Sequence, residues 1–363
     1  MNTNRRFDVA VLPGDGIGLE VMDPAVEVLK AVQAKVGGFE LSFTEHECGA
    51  GLYAKTGDAL PQDLVDKIGR ADAMLVGAMG LPNVRYPDGR EITPQVDLRE
   101  IFGLYGGVRP AKALKGIPPV LADPRAADID FVLIRESTEG LFVGRKKAER
   151  IGNEVARDMM EITRKTSEKL FHFSFQLTRQ RKAKGKPGRL TCVDKANVLG
   201  STAFFRQIFD EVGEHYPDIE RDYGYIDAVA MNFVKKPWSY DVLVTENMFG
   251  DILSDLAAGL IGGLGFAPSA DIGDSQAVFQ PCHGTAPDIM GQGKANPTAT
   301  ILSAAMMLAW LGETHDLQAC RDAAGIIDRA VADAFATGAL TSFELGGQDG
   351  TRAIADAILE RIG

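Results

Sequence analysis

The sequence predicts an α/β protein, because short β-rich segments alternate with stretches of helical apolar spacing along the whole chain. Residues 7–12 form the first such segment, and they are followed by a glycine turn over 13–18 and by helical spacing over 20–32. A chain of 363 residues is long enough for two domains or for one large α/β unit. Further predicted strands are 73–76, 131–134, 190–193 and 242–244, the last of which precedes a helical stretch from Phe249.

Composition excludes several classes of protein. Hydrophobic residues make up 45% and charged residues 25%, which is typical of a folded globular chain rather than a disordered or fibrous one. The net charge of −11 repels nucleic-acid phosphates and anionic lipid, and it suits a divalent cation better. The longest nearly apolar run, 256–267, is shorter than the roughly 20 residues of a membrane span. The first residues lack a targeting pattern, so we expect a cytoplasmic protein with no membrane or nucleic-acid partner.

Two local features have ordinary structural explanations. The four cysteines, Cys48, Cys192, Cys282 and Cys320, lie far apart without a CxxC pair, which predicts scattered reduced thiols. The basic segment 179–189 surrounds a Gly-Lys-Pro-Gly centre between a helix and a strand. We interpret it as a solvated loop rather than a nucleic-acid contact.

The turn after the first strand reads Gly-Asp-Gly-Ile-Gly over 14–18, one residue short of the GxGxxG spacing of a Rossmann loop. Alone it favours a dinucleotide loop no more than a tight strand-to-helix turn. The chain has no P-loop lysine motif, no HExxH pair and no GxSxG elbow. The usual motifs of nucleotide hydrolysis, zinc proteolysis and serine hydrolysis are therefore missing.

Three arginines are candidate ligands for carboxylates. Arg109 lies in a Val-Arg-Pro sequence and Arg135 ends the apolar run 131–134, so both stand at segment ends where loops present functional groups. Together with Arg99 they could clamp an anionic substrate, because each guanidinium can form two parallel hydrogen bonds to a carboxylate. A surface charge or a local ion pair explains any one of them equally well.

Four further charged residues point to metal and proton chemistry. Asp251 and Asp255 are spaced i, i+4 at the start of an apolar helical stretch, so both carboxylates project from one face. A hard cation would relieve their repulsion, although solvated acids near a helix N-terminus are the alternative. Asp227 and Lys195 each interrupt an apolar segment, where a charge costs desolvation unless it is used.

The ordered motifs LREIFGLYGGVRP (98–110), IRESTEG (134–140), VDKANVL (193–199), TENMFGDILSDLAAG (245–259) and HGTAPD (283–288) resemble the β-decarboxylating dehydrogenases. This isocitrate/isopropylmalate dehydrogenase family includes the homoisocitrate, tartrate and D-malate enzymes. The resemblance implies a two-domain isopropylmalate dehydrogenase-like fold that is not a Rossmann fold. It places the cofactor-binding domain at 1–105 plus 262–363, and the dimerisation and metal/substrate domain at 106–261.

The resemblance also implies a role for each candidate residue. Arg99, Arg109 and Arg135 would bind a small dicarboxylate substrate, and Asp227, Asp251 and Asp255 would bind Mg²⁺ or Mn²⁺. Lys195 and Asp227 would be catalytic and would reach the site from the second copy of a homodimer. The cofactor residues would be Ile17, His283, Gly284, Thr285, Ala286, Asp288, Ile289 and Asn296. NAD is expected, since the Asp288 carboxylate would repel the 2′-phosphate of NADP.

The sequence departs from the family at two places. The family tyrosine that protonates the enolate product is Phe142 here, and a phenyl ring cannot donate a proton. A dehydrogenase without efficient decarboxylation and a non-catalytic regulatory member therefore stay open as alternatives. Around the substrate substituent, Thr93 and Gln95 are polar, which favours tartrate, D-malate or isocitrate over an isopropyl group. The individual acid, a monovalent-cation requirement and assembly beyond a dimer are left open.

Overall fold

The computed structural model describes residues 5–146, with the Lys146 side chain left out, and residues 148–363. Ten strands of this part form one sheet, and two short strands form a separate antiparallel pair. The strands are β1 (Arg5–Leu12), β2 (Phe39–Glu45), β3 (Ala73–Val76), β4 (Gly106–Lys112), β5 (Asp130–Glu136), β6 (Glu149–Ile151), β7 (Val155–Arg157), β8 (Arg189–Asp194), β9 (Glu220–Tyr225), β10 (Val242–Thr245), β11 (Pro268–Ile272) and β12 (Ala277–Pro281).

Helices connect most of these strands and bury apolar faces against the sheet or against one another. They are α1 (Gly18–Val36), α2 (Ala50–Thr56), α3 (Gln62–Ile68), α4 (Pro94–Ile101), α5 (Arg164–Ala183), α6 (Gly200–Gly213), α7 (Ile226–Lys235), α8 (Asn247–Leu260), α9 (Thr298–Thr314), α10 (Gln318–Phe335) and α11 (Thr351–Ile362). The predicted α/β class is confirmed, since every predicted strand and both predicted helices are present.

The order of strands in the sheet is β2-β1-β3-β12-β11-β4-β5-β10-β8-β9. Neighbours are parallel within β2-β1-β3-β12 and within β5-β10-β8-β9, while β11 and β4 run antiparallel to each other and to their outer neighbours. The parallel strands are apolar along their length, as β3 and β10 show with four buried residues each. The antiparallel centre separates this sheet from the all-parallel sheet of a Rossmann fold.

The predicted domain boundaries fall at the centre of the sheet. Division after residues 105 and 261 assigns β11 to one unit and β4 to the other, although the two strands pair through Ala270–Ile272 and Gly106–Val108. Five strands of the sheet lie on either side of that division. The boundaries themselves stay a prediction.

The glycine turn after β1 is explained by close backbone contacts. Gly14 and Gly16 have φ angles of 75° and 60°, a region that glycine enters without strain. A Cβ atom at Gly14 would lie 2.2 Å from the Ala78 carbonyl oxygen, and one at Gly16 would lie 2.2 Å from that of Thr285. The turn therefore requires glycine so that β1 can pack against two loops that are distant in sequence.

The basic segment 179–189 is only partly a loop, so that prediction was wrong in extent. Helix α5 continues to Ala183, because Arg179 and Arg181 have acidic partners along its last turns. Arg179 pairs with Asp218, and the Nε of Arg181 donates to Asp241 at 2.8 Å. Among the described residues, no helix combines the length and apolarity needed to cross a bilayer.

Candidate active site

A cleft of about 230 Å³ opens where the central antiparallel strands approach α4 and α8. Charged side chains from distant parts of the chain line it. The predicted site residues among its walls are Gln95, Arg99, Arg109, Arg135, Phe142, Asp251, Asp255, His283 and Gly284. Residues that are nearly 190 positions apart in sequence therefore meet in one cavity.

Arg99 and Arg109 are held by a single buried carboxylate, that of Asp271 in β11. The Nε of Arg99 donates to Asp271 Oδ2 at 3.0 Å, and Nη2 of Arg109 donates to Oδ1 at 2.9 Å. Burial by itself would raise the pKa of Asp271, but the charges of Arg109 and Arg99 outweigh it and hold that pKa well below its usual value. The two guanidiniums therefore share a permanent negative partner.

Arg135, near the end of β5, faces α8. Its Nε and Nη2 donate to Asn247 Oδ1 at 2.9 and 2.7 Å, and its Nη1 donates to Asp251. The guanidinium carbon lies 5.3 Å from the centroid of the Phe142 ring. Burial first, and the positive charge of Arg99 second, lower the pKa of Arg135 to about 10. The group therefore keeps its positive charge at neutral pH.

Two acids project into the cleft from α8. Asp251 and Asp255 lie one turn apart, on a helix whose N-terminus is capped by the Glu246 carboxylate. The pKa of Asp255 is raised, first by burial and next by the negative charge of Asp251. A hard divalent cation would relieve that repulsion, and carboxylate oxygens are its preferred ligands. Over residues 5–146 and 148–363, no group of three acids, histidines or cysteines forms a complete metal site.

The predicted catalytic pair Lys195 and Asp227 lies outside the cleft of its own chain. Lys195 follows β8 and Asp227 is in the first turn of α7. The Nζ of Lys195 donates to Asp227 Oδ1 at 2.5 Å, and this hydrogen bond lowers the pKa of Asp227. The Asp227 side chain is 67% exposed, so the pair is presented at the surface. The structure therefore brings together two of the three predicted metal-binding acids.

A second cavity of about 470 Å³ adjoins the cleft, and His283 and Gly284 line both. Of the predicted cofactor residues, those that line this cavity are Ile17, His283, Gly284, Ala286, Ile289 and Asn296. Thr285 and Asp288 are not among its lining residues. Thr285 instead accepts the Ile17 N–H through its carbonyl at 2.9 Å, and Asp288 is exposed.

Two polar groups in these cavities have no partner within the described part of the chain, namely His283 Nε2 and Gln95 Oε1. Burial lowers the pKa of His283, and its Nδ1 lies 2.9 Å from the Gly284 carbonyl oxygen. That contact assigns the imidazole proton to Nδ1 and leaves Nε2 as an acceptor. Gln95 lines the cleft, whereas Thr93 precedes α4 and is not part of the lining. Of these two predicted residues, Gln95 is the one that could contact a polar substituent in the cleft.

Sequence reasoning missed several polar residues that hold the site together. Asp271 interrupts an apolar strand, which is the same signal that identified Asp227 and could have found it. Asn247 is the hydrogen-bond partner of Arg135, and no pattern in the sequence indicates that. Glu344 lines the second cavity and accepts a hydrogen bond from Asn296 Nδ2 at 2.7 Å. It comes from a distant loop without any recognisable motif.

A cleft that holds three buried cations and two acids, next to a second cavity, is the arrangement of an α/β enzyme that acts on small anionic molecules. Comparison with known proteins then identifies the family. The family model described as isocitrate/isopropylmalate dehydrogenase matches residues 8–358. The chain belongs to the isocitrate/isopropylmalate dehydrogenase family.

Individual relatives agree with this assignment. The 3-isopropylmalate/3-methylmalate dehydrogenase of Methanocaldococcus jannaschii is 42% identical over 355 residues, which cover 98% of each chain. The homoisocitrate dehydrogenase of the same organism is 42% identical over 363 residues, which cover 98% of this chain and 97% of that one. The crystal structure of isocitrate dehydrogenase from Methylococcus capsulatus matches with a TM-score of 0.86 at 37% identity, covering 98% of this chain and 99% of that one.

Family membership, which the motifs predicted, is therefore confirmed, and so is the family's fold. The predicted enzyme class is confirmed too: the protein is an oxidoreductase of the decarboxylating dehydrogenase family. The roles of individual residues stay predictions, and they form the basis of the proposal below.

Proposed function

We propose that this protein catalyses the NAD-dependent, divalent-metal-dependent oxidative decarboxylation of a malate-class 2-hydroxy acid with a polar substituent, such as tartrate, D-malate or isocitrate. The main support is the cluster of three buried arginines and two acids in one cleft that adjoins a second cavity. The arginines match a dicarboxylate, the acids match a cation, and the cavity accommodates the cofactor.

Arg99, Arg109 and Arg135 bind and orient the substrate carboxylates in this proposal. All three are at most 8% exposed, so a carboxylate that reaches them is shielded from water and is strongly attracted. Their guanidiniums are fixed by Asp271 and Asn247, which reduces the conformational entropy that substrate binding must remove. A substrate carboxylate is thereby held in one orientation beside α8.

The acids of α8 fit Mg²⁺ or Mn²⁺, because two carboxylates one turn apart repel each other without a cation. Asp251 and Asp255 would hold the ion, with Asp227 from a second copy as the third acid. When bound, such an ion supplies Lewis acidity that favours ionisation of the 2-hydroxyl group and stabilises the electrons released with CO₂. Lys195 would accept the hydroxyl proton as a neutral amine, after the ammonium that pairs with Asp227 in this structure has lost one proton to water, and Asp227 would orient the amine.

Two observations support the contribution of Lys195 and Asp227 by a second copy. Neither residue lines the cleft of its own chain, although Asp227 is exposed and available to another molecule. The nearby helices α7 and α8 also expose apolar side chains, with Met231 at 53%, Val234 at 55% and Ile252 at 58%. A homodimer would cover these side chains and complete both sites.

Complementation between two inactive variants tests the shared site. Lys195→Ala and Asp251→Asn are each expected to abolish turnover when they are present alone. In mixed dimers, one of the two sites combines an intact Asp251 with an intact Lys195, so activity should recover to roughly a quarter of wild type after subunit exchange. A mixture that stays inactive, although mass spectrometry shows heterodimers, would contradict the shared site.

The second cavity fits the adenosine part of NAD. Its apolar wall includes Ile17 and Ile289, and Asn296 supplies a polar group. NAD, when bound, accepts the hydride that leaves C2 of the substrate. Glu344 lines the cavity together with one cation, Lys294, and the exposed Asp288 directly precedes the lining residue Ile289. We expect the Glu344 and Asp288 carboxylates to repel the extra phosphate of NADP. Both therefore favour NAD.

Phe142 supports a second candidate function. It lines the cleft beside Arg135, where it provides an apolar surface but no proton donor. Tyr105 does not replace it, because that residue is not part of the cleft lining. If neither water nor Lys195 protonates the enolate, the enolate would recapture CO₂ and return to the β-keto acid. The enzyme would then be a dehydrogenase without efficient decarboxylation.

The experiment measures NADH formation with Mn²⁺ for D-malate, tartrate, isocitrate and 3-isopropylmalate, and it follows CO₂ in parallel. Stoichiometric CO₂ with a polar acid as the best substrate is the expected result. NADH without CO₂ would establish the second candidate instead. No turnover with any of the four acids, alongside measurable NAD binding, would contradict both and favour a regulatory protein.

A further inference from the structure

The buried Asp271 carboxylate pairs with two arginines of the cleft, and none of the proposed catalytic steps uses it. It lies in β11 with no exposed surface and is not part of the cleft lining. Three side chains donate hydrogen bonds to its two oxygens: Arg99 at 3.0 Å, Arg109 at 2.9 Å and Gln280 at 2.9 Å. The Ser137 hydroxyl lies 3.3 Å from Oδ1 and also 3.3 Å from the Arg135 carbonyl oxygen. Both oxygens are therefore fixed from two sides.

The neighbouring strand leaves space for this carboxylate. Gly107 of β4 pairs with Asp271 of β11 in the sheet. A Cβ atom at Gly107 would lie 2.5 Å from the hydroxyl oxygen of Ser137 and 3.1 Å from Asp271 Oδ1. A larger residue at this position would displace the Ser137 hydroxyl and crowd the Asp271 carboxylate. The glycine thus allows the network to form.

The hydrogen bonds to Asp271 leave other nitrogen atoms of Arg99 and Arg109 available to a ligand. Asp271 receives Nε of Arg99, and within the described residues the two terminal nitrogens of Arg99 make no hydrogen bond. On Arg109, Nη2 donates to Asp271, while Nη1 donates to the carbonyls of Val108 and Ala270. Asp271 therefore fixes the two guanidiniums, which both line the cleft.

The network also determines how much positive charge the substrate meets. Three guanidiniums surround the cleft, and Asp271 neutralises one positive charge among them. In this structure Asp251 pairs with Arg135. A bound divalent cation would balance the two negative charges of the α8 acids and leave the arginines to the substrate. The remaining positive charge then equals that of a dicarboxylate, whereas the third carboxylate of a tricarboxylate would meet no free cation.

We propose that Asp271 is a positioning and specificity-determining residue. It holds Arg99 and Arg109 in place, and its negative charge makes the cleft bind a dicarboxylate in preference to a tricarboxylate. This inference rests on the proposed function for the nature of the ligand. It narrows the candidate acids to those with two carboxylates, such as malate and tartrate.

Calorimetric titration of the Mg²⁺-loaded protein with succinate and with tricarballylate tests the proposal. Neither probe has a hydroxyl group to oxidise, so binding is measured whether or not the protein turns over. Wild type should bind succinate more tightly. In Asp271→Asn the ratio of the two Kd values should shift by roughly tenfold towards tricarballylate, which corresponds to about 1.4 kcal/mol.

Asp241→Asn is the matched control, because Asp241 is also buried and accepts a hydrogen bond from an arginine, Arg181, at 2.8 Å. It lies outside the cleft lining, so its loss should leave the ratio of Kd values unchanged. A purely structural role for Asp271 would weaken both probes equally. A ratio in Asp271→Asn within twofold of wild type would overturn the proposal.

A second variant covers the case in which Asp271→Asn does not fold. The double variant Asp271→Asn with Arg109→Gln removes one negative and one positive charge, so no additional buried charge is left unpaired. Its ratio should match that of wild type although both probes bind more weakly. A tenfold shift in the double variant would overturn the proposal. Failed turnover with intact probe binding would instead refute only the proposed function.

Discussion

Asp251→Asn is the sharpest test of the proposed metal site. The substitution keeps the size of the side chain and removes one of the two carboxylates that α8 presents to the cleft. Arg135 loses an ionic partner but keeps both hydrogen bonds to Asn247 Oδ1. Because the Asp251 side chain is 45% exposed, the lost ion pair should lower the free energy of unfolding by no more than about 1 kcal/mol.

The effect on turnover should be much larger than the effect on stability. A bound cation contributes several kcal/mol to stabilisation of charge in the transition state. Loss of about 4 kcal/mol would lower kcat/KM roughly a thousandfold, since about 1.4 kcal/mol corresponds to a factor of ten. The pKa of Asp255 should also fall, because the negative charge of Asp251 is one of the causes that raise it.

Three measurements check this prediction: the rate of NADH formation with Mn²⁺, Mn²⁺ affinity from electron paramagnetic resonance, and urea unfolding. Asp356→Asn is the matched control, because Asp356 is an arginine-paired aspartate of similar exposure on α11. It should leave turnover and Mn²⁺ affinity unchanged. Wild-type turnover or wild-type Mn²⁺ affinity in Asp251→Asn would remove that residue from the metal site.

Three further predictions concern the cleft and the thiols. Phe142→Tyr places a hydroxyl beside Arg135 and should raise the ratio of CO₂ to NADH. If this ratio is below one in wild type and stays unchanged in the variant, position 142 does not control protonation of the enolate. Gln95→Leu should lower kcat/KM for the preferred polar acid by tenfold or more, and it should favour 3-isopropylmalate; equal losses for both acids would refute selection by Gln95. Burial is the largest cause that raises the thiol pKa values, to about 12 for Cys48 and about 11 for Cys320, so folded protein should react slowly with a disulfide reagent at pH 8. Since these pKa values exceed the ordinary 9.0, the native state retains more protons above pH 9 than the unfolded state, and urea unfolding should show stability falling there.

The sequence predicted five of the eight strands in the parallel parts of the sheet and missed β2, β9 and β12. Strands such as β3 and β10 are uniformly apolar and are followed by turns or helices, which is a local pattern. The antiparallel centre could not be predicted from local patterns, because β11 and β4 are separated by more than 150 residues. Their pairing is determined by tertiary packing, to which periodicity is not sensitive.

In the candidate site, too, local patterns could be predicted from the sequence and long-range contacts could not. Arg109 and Arg135 were identifiable because a charge next to an apolar segment costs free energy unless it has a function or a partner. The sequence could not distinguish these two explanations, and the structure shows that both apply. Arg135 has Asn247 as a partner 112 positions away, and it also lines the cleft.

Asp271 illustrates why the residues that pair with the charged side chains of the cleft are harder to predict than those charged side chains themselves. An arginine at the end of a strand is visible from its immediate neighbours, whereas the carboxylate that compensates Arg99 lies 172 positions away in a different strand. The cost of an unpaired buried charge guarantees that such a partner exists, but it does not say where in the chain. The charged residues of a site are therefore easier to identify from a sequence than the oppositely charged residues that pair with them. The net charge of a cleft, and with it the charge of the preferred substrate, depends on both.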